Sequence, residues 1–69
     1  MNNANYRYEF KFGLKDKVTI RQISIRGRVF GCEKKADGNW YGVRFFSDSG
    51  DYMTIYYPEE ELEAVEDDN

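Results

Sequence analysis

Trp40, Arg44, Phe46, Tyr52 and Tyr56 are the residues of this chain best suited to act on another molecule. They alternate with Tyr41, Val43 and Phe45 on one stretch, and with Met53 and Ile55 on the next. If the second set faces a core, period-two geometry turns the first set outward. An outward Trp–Phe–Tyr–Tyr group beside an arginine suits the docking of a protein, because aromatics and arginine dominate the energetic centres of interfaces. The competing reading is structural: a small curved barrel has two partly buried faces, and the tail or an N-terminal strand could cover these rings. Rings converging on a cation would make a methyl-lysine cage, a narrower use of the same side chains.

A second chemistry is electrostatic. Arg21, Arg26, Arg28, Lys34 and Lys35, with Arg44, fall on adjacent expected strands and could gather phosphates, with Trp40 or Tyr41 available for base stacking. A nucleic-acid-associated module is therefore the alternative to a protein-binding one. Charge along the chain is sharply divided. Residues 1–46 carry all ten Lys and Arg against four acids, a balance of +6, and residues 47–69 carry nine acids and no base, −9, leaving −3. The overall acidity, with an isoelectric point near 4.8, weighs against a life on nucleic acid. The acidic block from Asp48 to Asp68 keeps the protein soluble, contacts a basic partner or mimics a phosphate backbone; solubility is the default for such a segment.

Catalysis has little to stand on. There is no histidine, and no serine or cysteine stands at recognisable spacing from a base. The glycines at 27, 31, 38 and 42 lie in expected strands and a hairpin, not ahead of a helix where they would cradle phosphate. Cys32 reads as a small strand residue, since an activated thiolate needs a lowered pKa that Lys34 or Arg28 alone supports thinly. Asp48-Ser49-Gly50-Asp51 offers two carboxylates where a calcium loop needs six to eight oxygens, and turn chemistry accounts for it better. One cysteine also excludes an internal disulfide and a Cys/His zinc site. The expectation is a non-enzymatic protein with no cofactor and no metal.

The elements that must position these residues are short strands. Tyr6, Tyr8, Phe10 and Phe12 alternate with Arg7, Glu9 and Lys11, which predicts an N-terminal strand over 6–12. Val18 and Ile20 mark a second. Ile23, Ile25, Gly27, Val29 and Gly31 share one parity in a third, where Gly27 or Gly31 signals a bulge or sharp bend. Asp37-Gly38 reads as a type I′ hairpin turn into Trp40–Phe46. Ser47-Asp48-Ser49-Gly50 turns into Asp51–Tyr57, and Pro58 ends that strand because it cannot donate to a ladder. Glu59–Glu61 suits one helical or 3-10 turn, whose start favours negative charge, before Leu62 and Val65 return to the core.

At 69 residues this is one small all-β domain, expected to be an antiparallel barrel of five or six strands. Residues 1–5 are expected to be disordered, 6–65 to form the barrel and 66–69 to be an acidic tail. One Trp, six Tyr and five Phe supply the packing that disulfides and metals do not. No apolar run approaches a membrane span and no signal peptide is visible, so the expected compartment is the cytoplasm, with no membrane partner. The N-terminal strand could also pair with a second copy, making a homodimer.

From Phe12 to Val65 the chain resembles the SH3-like barrel in its Tudor, KOW and chromo-barrel variants. The resemblance rests on Phe12-Gly13-Leu14-Lys15-Asp16-Lys17-Val18 as a barrel opening, Gly27-Arg28-Val29 on a bent strand and Asp37-Gly38. It continues through Trp40-Tyr41-Gly42-Val43-Arg44-Phe45 and closes with Glu60-Glu61-Leu62-Glu63 before the last strand. It implies a binding module with ligands ranging from methylated lysines and proline-rich peptides to RNA and ribosomal or polymerase proteins; fold alone does not choose among them. The extra N-terminal strand departs from a bare five-stranded pattern. The short, acidic, single-domain chain also has the look of small phage or accessory-genome proteins.

Overall fold

Alternation of apolar and polar residues writes most of the strands. The structure, a computed structural model, describes residues 10–66. They form β1 (Lys17–Ile20), β2 (Ile25–Lys35), β3 (Gly38–Phe46), β4 (Tyr52–Pro58) and β5 (Leu62–Ala64), with a 3-10 turn over Glu59–Glu61 before β5. All pairings are antiparallel and the strand order is β4-β3-β2-β1-β5. The expected all-β class, the strand count and the turn before the last strand are all present. The sheet, however, does not close into a barrel: β4 and β5 remain its two edges. A three-residue β5 already paired with β1 offers too few ladder bonds to carry closure. No described helix is long and apolar enough to cross a membrane.

The inner face carries the core. Phe12, Val18, Ile20, Val29, Tyr41, Val43, Phe45 and Leu62 are buried, with Phe10, Ile25, Cys32, Met53 and Tyr57 packed around them. Full burial of each aliphatic side chain contributes about 1.5–3 kcal/mol before entropy is counted. Tyr41, Val43 and Phe45 point inward as their parity requires.

The expectations for residues 1–5, for the N-terminal strand up to Glu9 and for the acidic tail beyond Glu66 fall outside the described residues. Others need correction. Phe10–Phe12, the described end of that strand, is irregular instead. Side-chain packing holds it there: the Phe10 and Phe12 rings meet Tyr41 edge-on at 5.9 and 5.2 Å. The β2–β3 hairpin turns at Ala36-Asp37, since Lys35 pairs with Gly38. Only Gly38 there has positive φ, at 130°, so this is not the type I′ turn expected at Asp37-Gly38. Ile23 lies in the β1–β2 turn, where the Ser24 N–H donates to the Ile20 carbonyl at 2.7 Å, and not in a strand.

The bulge expected at Gly27 or Gly31 sits between Val29 and Gly31, where the β2–β3 register shifts. Phe30 is the extra residue. Val29 pairs with Val43 on the inner face, but beyond the bulge Gly31 pairs with Gly42 on the outer face and Cys32 with Tyr41 on the inner. The shared parity of Gly31 with Val29 is thus overturned, because one inserted residue reverses the phase of every residue after it. Gly27 answers a different need. A Cβ there would come within 2.6 Å of the Arg44 carbonyl oxygen and 2.7 Å of Val43 Cγ1, so only glycine lets β2 approach β3 so closely.

Candidate functional site

The outer face of β2, β3 and β4 gathers the candidate residues. Register places Lys17, Arg28 and Arg44 in one row across β1, β2 and β3, with Arg26 two residues along β2. Like charges directly opposite each other on neighbouring strands are destabilising.

Beside this row lies an open groove of 630 Å³. Lys15, Arg26, Arg28 and Arg44 bring cations to its wall, and Leu14, Phe30, Phe46 and Tyr52 bring apolar surface. No acidic residue of the described chain lines it. Phe46 and Tyr52 pair across β3 and β4, ring centroids 4.9 Å apart, and stay 63% and 60% exposed. Leu14, 61% exposed, lines the groove as well.

Local chemistry fixes these positions. The segment before β1 is tied to β2 by hydrogen bonds from the Lys15 N–H to the Val29 carbonyl, 2.7 Å, and from the Val29 N–H to the Asp16 carbonyl, 2.9 Å. Asp16 also accepts from the Gly13 N–H through Oδ2 at 2.8 Å. Lys15 is held at φ 75°, a left-handed conformation that costs a non-glycine residue about 1–2 kcal/mol. The Arg28 guanidinium donates to the Lys15 carbonyl at 3.2 Å, which joins this loop to the cation row. Arg44 lies 4.6 Å from the centre of the Phe30 ring, and Phe30 meets Tyr56 edge-on at 5.6 Å. Both rings lie over the Gly31–Gly42 pair: a Cβ on Gly42 would come within 2.6 Å of Phe30 and 2.8 Å of Tyr56. Opposed glycines covered by aromatic rings recover the packing that glycine lacks.

The sequence-derived set is therefore partly assembled. Arg44, Phe46 and Tyr52 line the groove, and Tyr56 adjoins it through Phe30. Trp40 stands apart near the β2–β3 hairpin, its indole N–H donating to Asp37 at 3.0 Å and the Lys35 ammonium 4.3 Å from its ring centre. The basic set divides as well. Arg26 and Arg28 enter the groove, Lys34 and Lys35 lie at the hairpin, and Arg21 follows β1 with its N–H on the Glu61 carbonyl at 2.9 Å. Leu14, Lys15 and Phe30 were not singled out from the sequence. The in-strand glycine at 31 was the available signal for Phe30.

Other polar groups serve the fold. Glu59 Oε1 accepts from the Tyr41 hydroxyl at 2.6 Å and from Asn39 at 3.2 Å, and the same Tyr41 hydroxyl accepts from the Lys11 N–H at 2.9 Å. Burial, then the bond to Glu59, pushes the Tyr41 phenol up to about 12. For Glu59, burial pulls upward but is outweighed by the Tyr41 and Asn39 hydrogen bonds and by Lys11, so its carboxyl sits below the ordinary value. Burial, and next Asp16, pushes the Cys32 thiol up, and its S–H donates to the Phe12 carbonyl at 3.7 Å. A thiol held protonated in this way is a poor nucleophile. In the Ser47–Asp51 turn, the Asp51 N–H donates to Ser47 Oγ at 3.1 Å and Gly50 takes φ 92°, which is turn chemistry. Among the described residues no group of three or more Cys, Asp or Glu is placed to hold a metal.

No family model, curated protein or solved structure matches the chain.

Proposed function

We propose that this chain is a non-enzymatic interaction module that docks another protein on the outer face of β2, β3 and β4. The observation that carries the reading is the Phe46–Tyr52 pair, left exposed at the mouth of a 630 Å³ groove. Exposed aromatics around a concavity and beside arginine have the composition of an interface centre. The strand order, the bulged second strand and the 3-10 turn before the last strand support the resemblance to SH3-like barrels of the Tudor, KOW or chromo-barrel kind, which bind rather than catalyse. Rigid β-strands present the rings, so little ordering entropy is lost on docking.

The test is affinity capture from the source cell's lysate after nuclease treatment, comparing wild type with the Phe46→Ala/Tyr52→Ala double variant. Both rings are exposed, so the variant should keep the wild-type circular dichroism spectrum and lose the captured proteins. Capture undiminished by the double variant removes this face from the reading. A nucleic-acid-associated role through the basic strands is the second reading, favoured by the Lys17–Arg28–Arg44 row. It predicts that capture disappears with nuclease.

A further inference from the structure

We infer that the groove takes a short acidic segment of the partner protein, with its carboxylates on Arg26, Arg28 and Arg44 and an apolar side chain against Phe46 and Tyr52. The inference rests on the docking face proposed above and names what occupies it. Charge is the first argument. Cations from two strands and the Lys15 loop line the groove, and no described carboxylate lines it to neutralise them. Adjacent like charges raise the energy of the free protein, and an arriving anion relieves that repulsion as it binds.

The second argument is size. The cationic zone is bounded by acids on both sides. Toward β5, Arg26 pairs with Thr19 and Thr19 with Glu63, so an exposed carboxylate stands two strands away, roughly 10 Å. Past the Phe46–Tyr52 pair come Asp48 and Asp51, both exposed in the β3–β4 turn. The Lys17–Arg28–Arg44 row itself continues to Thr54 on β4, but a long polyanion leaving it along the strands past Arg26 and Phe46 would meet these carboxylates, whereas a few acidic residues fit beside the row. Lys34, Lys35 and Arg21 do not extend the track, because register sets them at other corners of the sheet. The third argument is the apolar wall of Leu14, Phe30, Phe46 and Tyr52, which suits a peptide side chain beside the acids.

The experiment is a titration of the full-length chain, labelled with ¹⁵N, followed by two-dimensional NMR. Three probes are compared: a short synthetic peptide of alternating glutamate and leucine, the same peptide with glutamine for glutamate, and single-stranded oligothymidylate. The glutamate peptide should shift the amides of residues 26–30 and 44–46 and the side-chain N–H signals of the arginines. The glutamine peptide should bind at least about tenfold more weakly, as loss of desolvated charge pairs implies. Arg28→Glu should lower affinity by a similar factor while the variant keeps the circular dichroism spectrum of the folded protein. Equal binding of the two peptides, tighter binding of the oligothymidylate, or no shift at the groove each overturns the inference. An Arg28→Glu protein that still captures partners which Phe46→Ala/Tyr52→Ala loses would leave the docking face standing and remove the acidic occupant.

Discussion

One hydroxyl, that of Tyr41, joins three parts of the chain. It donates to Glu59 in the 3-10 turn, accepts from the Lys11 backbone and sits on a ring that packs Phe10 and Phe12. Tyr41→Phe keeps the ring but leaves the Lys11 N–H and the Glu59 carboxylate without this partner. Urea denaturation should show a loss of about 1–3 kcal/mol, the usual cost of an unmade buried hydrogen bond. The same pair shapes the pH response. The Tyr41 pKa is raised to about 12, so its contribution to stability is whole below the unfolded value near 10 and is lost as pH climbs through 12. Tyr57, raised by burial and then by Glu61, acts in the same direction. Glu59 is lowered, so its contribution holds above the ordinary glutamate range and is lost as pH falls below it. Thermal midpoints across pH should therefore fall at both ends, and Tyr41→Phe should shrink both limbs. An unaltered profile in that variant would detach the pH response from this contact.

At the scale of elements, the close approach of β2 to β3 at Gly27 governs the shape. Gly27→Ala drives a methyl group into the Arg44 carbonyl and the Val43 side chain, and backbone cannot step aside as a side-chain tip can. A cost of about 1–3 kcal/mol is expected, read as a lower denaturation midpoint with weakened signals for residues 43–45. Gly42→Ala meets only ring tips, so it should displace Phe30 and Tyr56 and disturb the groove more than the fold. These elements were legible in the sequence where periodicity was unbroken. Val18 and Ile20 mark β1, Tyr41, Val43 and Phe45 mark the inner side of β3, and Pro58 marks the end of β4. The rows of outward residues, Arg26 with Arg28 and Arg44 with Phe46, followed from the same alternation. Period-two counting assumes one phase per strand, so it could not see that Phe30 reverses the phase and turns Cys32 inward. Lys15 was not legible as a groove residue for another reason: a hydrogen bond to Val29, distant in sequence, places it.

Over the whole molecule, the division between a basic N-terminal part and an acidic C-terminal part becomes neighbouring patches of opposite sign. Because β5 pairs with β1, Glu63 lies in the same cross-strand row as Arg26. Long-range attraction for any anion is therefore weak in a chain of net charge −3, and recognition depends on the short-range field inside the groove. The association rate of an acidic peptide should fall only modestly as salt rises, while its dissociation rate changes with Arg28 and Phe46. A steep salt dependence of the association rate, measured by stopped-flow fluorescence, would instead point to steering by a large uniform field.

The single inserted residue in β2 also bears on ancestry. Removing Phe30, or adding a neighbour to it, would rotate everything from Gly31 to Lys35 onto the wrong side, exposing Cys32 and parting the two facing glycines. Length changes should be tolerated in the turns at 21–24 and 47–51 and purged between Gly27 and Gly42 unless they fall in the hairpin loop. Distant cousins of this chain should therefore share the run from Gly27 to Gly31 and the distance from Trp40 to Phe46, whatever else has drifted, and that invariant spacing is the mark by which to recognise them.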